Sequence, residues 1–225
     1  MDQGSSFEDI AFLANGGSDP YGNLKRDYGD SAFDTRHRFT VSSSYDVPNL
    51  NKLSMFSWMP SRVMGGWRLT GIYAWQTGQP IIFQDNSDNS LTCAGNYTFY
   101  ACPDRPDVVF KPKALDPHTA VFGTLNHYFF DPGAFEPNAL GTLGTTRRGF
   151  LHGPSYANID FALQKDTKVT EGTTIQLRLE AFNLFNHTNF ANPTGNSSSA
   201  NFGRVTSIRT NTNSRLVQLG AKFIF

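Results

Sequence analysis

The side chains that could do chemistry fall into small, separate sets. The histidines, His37, His118, His127, His152 and His187, show no spacing of the kind metal ligation demands. His37 stands between Arg36 and Arg38 and reads as a polar residue at a strand end. Cys93 and Cys102 lie in a stretch rich in Asn, Asp, Ser and Thr. A zinc site wants four ligands, so this pair reads as a local disulfide clamping a loop, which implies an oxidising compartment, or as two free thiols. The run Asp85-Asn-Ser-Asp-Asn-Ser90 offers oxygen ligands reminiscent of a calcium loop. It lacks the central Gly and distal Glu of an EF-hand, and it reads as a solvated loop. Arg178 and Glu180 are two apart on one strand face. They form either a salt bridge or plug contact, or a direct contact to a ligand. Asn96, Asn186 and Asn196 begin triplets that match a glycosylation acceptor, as chance matches in Asn-rich loops. Ser155 and Ser207 lack the glycine-flanked turn of a nucleophile. No catalytic constellation forms, so no enzyme, no cofactor and no metal centre is expected.

Composition narrows the class of protein that would position these residues. Aromatic residues make up 14% of the 225, with 20 Phe, while charged residues make up only 17%. No apolar run approaches the roughly 18 residues of a transmembrane helix. The mean hydropathy of −0.37 excludes a helical membrane protein but not a β-barrel, whose lumen face is polar. Net charge is zero, so no electrostatic footprint for nucleic acid exists. The first nine residues hold neither a basic n-region nor an apolar h-region and do not read as a signal peptide.

Alternation supplies the elements. Over residues 215–225, Val217, Leu219, Ala221, Phe223 and Phe225 share one apolar face, opposite Gln218, Gly220 and Lys222. Side chains switch faces at every residue of a strand, so this is a strand of barrel length ending on an aromatic residue. The same pattern appears at 38–47, at 67–76 with an expected continuation to Phe83, at 158–164 and at 174–181. Residues 202–208 give a weaker strand. In 174–181, Ile175, Leu177, Leu179 and Ala181 oppose Gln176, Arg178 and Glu180. Charges there are costly on a doubly buried strand and cheap in a water-filled or plugged lumen. Residues 1–36 read as an extracellular loop or linker. Residues 84–154 read as a long irregular loop, scattered with Pro, Gly, Asn and Asp. The fold expected is all-β: an antiparallel transmembrane β-barrel segment, about five to six strands of a larger barrel, with long extracellular loops. If the closing strand ends in the periplasm, strand parity puts the short 167–173 turn in the periplasm. Segments 84–154 and 186–214 then fall outside. The 48–65 connection is long for a periplasmic turn.

Several segments resemble the carboxyl-terminal barrel of Oar-like TonB-dependent receptors. They are Phe33-Asp-Thr-Arg-His-Arg-Phe39, Gly66-Trp-Arg-Leu-Thr-Gly71, Thr77-Gly-Gln-Pro80, Phe130-Asp-Pro-Gly-Ala-Phe135, Leu151-His-Gly-Pro154 and Asn158-Ile-Asp-Phe161. The run from Arg178 to Phe190 is similar to the family's penultimate strand, and Phe202-Gly-Arg204 with the closing strand completes the match. The resemblance covers the chain from about residue 28, with 37–225 as the carboxyl-terminal portion of the barrel. It implies a barrel of about 22 strands around a plug, with TonB contacted through an amino-terminal part that is missing here. The chain is therefore expected to be a fragment. Its expected partners are outer-membrane lipid, the remaining barrel strands and plug, and an unknown external ligand. The expected place is the cell outer membrane of a Gram-negative cell, and the expected work is ligand uptake. The alternative is a soluble β-sandwich acting as a binding or adhesion module.

Overall fold

The computed structural model describes residues 28–50, 55, 58, 60–91 and 104–225. Its five long strands are β1 (Arg38–Val47), β2 (Trp67–Gln76), β7 (Tyr156–Lys168), β8 (Thr174–Phe182) and β9 (Leu216–Ile224). Between β2 and β7 lie the two-residue strands β3 (Asp107–Val108), β4 (Val121–Phe122), β5 (Leu125–Asn126) and β6 (Phe135–Glu136). A single helical turn, α1 (Ser61–Met64), precedes β2. No helix among the described residues is long and apolar enough to cross a membrane.

The long strands form one antiparallel sheet in the order β1-β2-β7-β8-β9, with β1 and β9 as its edges among the described residues. Register converts alternation along each strand into continuous rows across the sheet. Tyr45, Leu69, Leu163, Leu179 and Leu219 are aligned partners, and Ser43, Gly71, Phe161, Ala181 and Val217 form the next row on the same face. On the opposite face the rows run Asp46, Arg68, Gln164, Arg178, Gly220 and Ser44, Thr70, Ala162, Glu180, Gln218. A one-residue slip in any strand would put its apolar set among these charges, so the pattern fixes the register.

The strand ends have local causes. β2 stops at Gln76 and does not reach Phe83. Pro80 has no N–H to give a ladder, and Gly78 passes so close to Gly153 that a Cβ there would collide with the Gly153 carbonyl. β8 stops at Phe182 because Asn183 turns to φ +49, a conformation that Asn tolerates better than most residues. The Asn183 amide donates to His187 O (3.0 Å) and Asn213 O (2.9 Å), and its Oδ1 accepts from His187 N at 2.8 Å. Residues 202–208 form no strand. Phe202, Arg204 and Ile208 make only isolated bridges, to Thr194, Tyr128 and Phe190.

The structure divides into two units. One comprises Arg38–Gln76, Tyr156–Thr188 and Asn211–Phe225, and holds the sheet. The other comprises Met1–His37, Thr77–Ser155 and Asn189–Thr210. This loop unit is mostly irregular in backbone but has a core. Phe83, Phe130, Phe135 and Phe202 are buried together with Ile81, Phe129, Ala134 and Val205. Phe83 stacks on Phe135 with centroids 4.7 Å apart, and Phe130 meets Phe202 edge-on at 5.2 Å. The Phe130–Phe135 motif makes this packing possible. Asp131 accepts from Gly133 N at 2.8 Å and caps the 3₁₀ turn Pro132–Ala134, so both flanking Phe rings enter the core.

Candidate functional site

The polar face of the sheet carries the residues expected to face a lumen. The Arg178 guanidinium lies 2.6 Å from Glu180, and Gln218 Nε2 donates to the same carboxylate. The sequence left open whether Arg178 and Glu180 pair or contact a ligand; in the structure they pair. Two strands away on the same rows, Arg68 Nε donates to Asp46 at 2.5 Å. Gln164 and Gln176 both donate to Asp166, at 3.0 and 2.9 Å. Asp46, Arg68, Asp166, Arg178 and Glu180 on this face therefore each have a polar neighbour, and the ladder Asp46–Arg68–Gln164–Arg178 runs across the strands. Asp46 and Arg68 were legible as polar-face residues. Their pairing needed the register.

The carboxyl-terminal signature lies wholly on the other face. Val217, Leu219, Ala221 and Phe223 align with Ala181, Leu179, Leu177 and Ile175. Leu219 is 83% exposed, Phe225 is 100% exposed, and Val217, Ala221 and Phe223 are exposed as well. These side chains cover no core in the unit that carries them. Cys93 and Cys102 lie outside the described residues.

The loop unit holds two polar clusters. The first corrects the reading of Asp85–Ser90 as a solvated loop at its first residue: Asp85 is only 4% exposed, whereas Asn86 is exposed and residues 87–90 are half-buried. Its carboxylate accepts from Ser87 N (2.8 Å), Ser197 Oγ (2.5 Å) and Ser198 Oγ (3.0 Å). Burial pushes the Asp85 pKa up, but the hydrogen bonds from Ser197, Ser87 and Ser198 outweigh it and hold the carboxyl below its ordinary value. Asp104 lies beside it, joined by Asp85 N to Asp104 O at 2.7 Å. Asp104 accepts from Ser90 N (2.8 Å), Ser90 Oγ and Asn138 Nδ2 (3.2 Å). These oxygens are taken up by protein donors, so the pair staples residues 85–90 to 104 and 197–198. Distance along the chain hid this hub from sequence reasoning.

The second cluster brings Asp30, Asp34 and His152 together, with ligand-type atoms within 4.8 Å of one another. His152 Nε2 is 3.2 Å from Asp30, within ion-pair range but off the line of a hydrogen bond. Arg36 already donates to the same Asp30 oxygen at 2.9 Å, and that cation balances the carboxylate. The cluster joins two motifs quoted above. Near it, Gly153 N donates to Gln79 O and Ile81 N donates to Leu151 O, so Thr77–Pro80 pairs with Leu151–Pro154.

The long strands make a sheet with one apolar and one charged face. A family model described as "Outer membrane beta barrel domain" matches residues 1–218. The chain belongs to this family. It is an outer-membrane β-barrel protein, and its place in the outer membrane follows from the same match. The soluble-sandwich reading does not survive this. Comparisons with curated proteins and with solved structures find no match.

Proposed function

We propose that this outer-membrane β-barrel chain forms part of the wall of a TonB-dependent receptor that takes up an external ligand. The observation that carries the barrel wall is the segregation of faces across five strands. The apolar rows suit outer-membrane lipid, and the Asp46–Arg68 and Arg178–Glu180 pairs suit a lumen holding water or a plug. A β-sheet exposed to hydrocarbon must have no open edge, so further strands pair with β1 and β9, and those strands and a plug complete the receptor. By strand parity the hairpin turn at 169–173 lies on the periplasmic side and the connections after β2 and β8 lie on the outer side. The Phe-cored loop unit is where an external ligand first meets the protein. TonB couples energy through the receptor's amino-terminal part. The chain performs binding and passage rather than catalysis. Support for the receptor class comes from the Oar-like motifs. Four of them meet in the structure as two pairs: Thr77–Pro80 with Leu151–Pro154 through backbone hydrogen bonds, and Phe130–Phe135 with Phe202–Arg204, where the Phe130 and Phe135 rings meet Phe202 edge-on.

The test is genetic and biochemical. The natural-length gene product is made in cells with and without TonB, and growth is followed on restricted nutrients. Uptake that needs both the protein and TonB supports the reading. Uptake that persists without TonB, or a product found as a soluble periplasmic species, overturns it.

A further inference from the structure

Among the described residues of the apolar face, Lys165 is the only charged one. It sits in the row Val47, Trp67, Lys165, Leu177, Ala221, near the end of the strands that bears the 169–173 turn. A free ammonium facing hydrocarbon is expensive. Lys165 is only 7% exposed, and its charge is not free. Nζ donates to Arg62 O at 2.9 Å and to Gly65 O, and it stands 5.2 Å from the centre of the Trp67 ring. The Trp67 indole N–H in turn donates to Val63 O at 3.0 Å. The polar atoms of two apolar-face side chains are therefore satisfied by the carbonyls of one short segment, α1 and Gly65.

That segment is also pinned from behind. Gly66 adopts φ +77, and Asp166 N donates to its carbonyl at 2.8 Å, where a Cβ would collide with the Asp166 carbonyl. Pinned in this way, α1 presents Arg62 and Val63 outward, and Val63 is 48% exposed. Trp58, just before it, is 75% exposed. Exposed Trp and Val beside a cation, continuous with an apolar strand face, is the chemistry of a membrane interface, where ring and aliphatic group lie in the acyl boundary and the charge stays at headgroup level.

We propose that Trp58 and residues 60–67 form a membrane-surface anchor. It rests among the headgroups of periplasmic-leaflet phospholipids, with Trp58 and Val63 dipping toward the acyl chains and Arg62 facing a phosphate. The β1–β2 connection is long because it carries this anchor. The inference rests on the orientation proposed above, with the apolar face toward lipid and the 169–173 turn in the periplasm. It adds a lipid contact that the strands alone do not supply.

Nitroxide labels at V63C, L219C and E171C, introduced singly with Cys93 and Cys102 replaced by Ser, test it in outer membranes that carry the natural-length protein. Collision rates with oxygen and with a water-soluble nickel chelate report depth. The anchor is expected to place Val63 between the other two sites: its oxygen-to-nickel ratio is several-fold above that of Glu171 and below that of Leu219. A Val63 ratio equal to that of Glu171, with Leu219 still protected, overturns the anchor and leaves the barrel wall standing. A water-accessible Leu219 overturns both. Modification of E171C by an impermeant maleimide in intact cells puts this end outside, which removes the periplasmic leaflet as the occupant.

Discussion

Phe130 and Leu219 are both large apolar residues, yet the first is 0% exposed and the second 83%. They stand for the two units of this protein. In the loop unit, aromatic rings gather inward around Phe130, and the buried Asp85 carboxylate is met by several donors. In the sheet unit the apolar side chains form rows on one open face, and the charges other than Lys165 lie on the other. The loop unit obeys the rule of a protein folded in water. The sheet follows the rule of a barrel wall, where burial is supplied by something other than the chain's own core. One sequence of unremarkable net charge thus encodes two solvents, and each unit can be challenged on its own terms.

The largest effect is expected in the loop unit. Phe130→Ala removes a ring that touches Phe83, Phe135 and Phe202. Such truncations cost about 3–5 kcal/mol. Limited proteolysis in outer membranes should show cuts in 77–155 appearing early, while the sheet strands stay protected. Simultaneous loss of the sheet would mean that the two units do not obey separate rules.

A charge on the apolar face comes next. Leu219→Arg should cost about 2–4 kcal/mol if its position lies near the bilayer midplane. The same change at Val121, which is also exposed at 57% but in the loop unit, should stay within about 0.5 kcal/mol. Yield of folded protein in the outer membrane and its unfolding in urea measure both. Equal tolerance at the two positions would remove lipid from the account of the sheet.

Much of the sheet was legible in the sequence because its signal is local. Alternation at 38–47, 67–76, 158–164, 174–181 and 215–225 needs no knowledge of distant residues, and it marks the apolar side of each of the five long strands. The misreadings have a physical pattern. The expected run of β2 to Phe83 fails because Ile81 and Phe83 belong to the loop unit's core and not to a strand face. Residues 202–208 alternate weakly because Phe202 and Val205 are core residues between single bridges. The buried Asp85 looked solvated because its partners, Ser197 and Ser198, lie more than a hundred positions away. The Asp30–His152 approach is equally non-local. Irregular segments carry their information in such contacts, and no periodicity announces them.

The buried carboxylate makes a pH prediction of intermediate size. The folded Asp85 carboxyl binds its proton less readily than it does in the unfolded chain, where its ordinary value is 3.8. Its contribution is therefore complete at neutral pH and is lost as pH falls below about 4, through the depressed folded value. Asp85→Asn should weaken the loop unit at pH 7 by about 1–3 kcal/mol, because three donors lose a charged acceptor. It should also flatten the loss of stability on acidification. Proteolysis of the loop unit across pH 3–7 with an acid-stable protease reads both. An unchanged acid slope would remove Asp85 from the role of staple.

The smallest expected effect bears most directly on what the charged face meets. Arg178 is 49% exposed and Glu180 is 19% exposed, at a separation of 2.6 Å. If this face borders water in a lumen, the pair is screened, and a double-mutant cycle with Arg178→Gln and Glu180→Gln should return less than about 1 kcal/mol of coupling. A dry face would behave differently. Breaking one partner of a desolvated pair costs about 3–5 kcal/mol, because the other is left charged and unmatched. A large single-mutant loss at Glu180, recovered in the double mutant, would therefore mean that Arg178 and Glu180 are covered by protein rather than water, as a plug pressed against β8 and β9 would do. A small and salt-sensitive coupling would leave the row open to solvent. The size of this one interaction thus separates a water-filled lumen from a plugged one at the level of these strands.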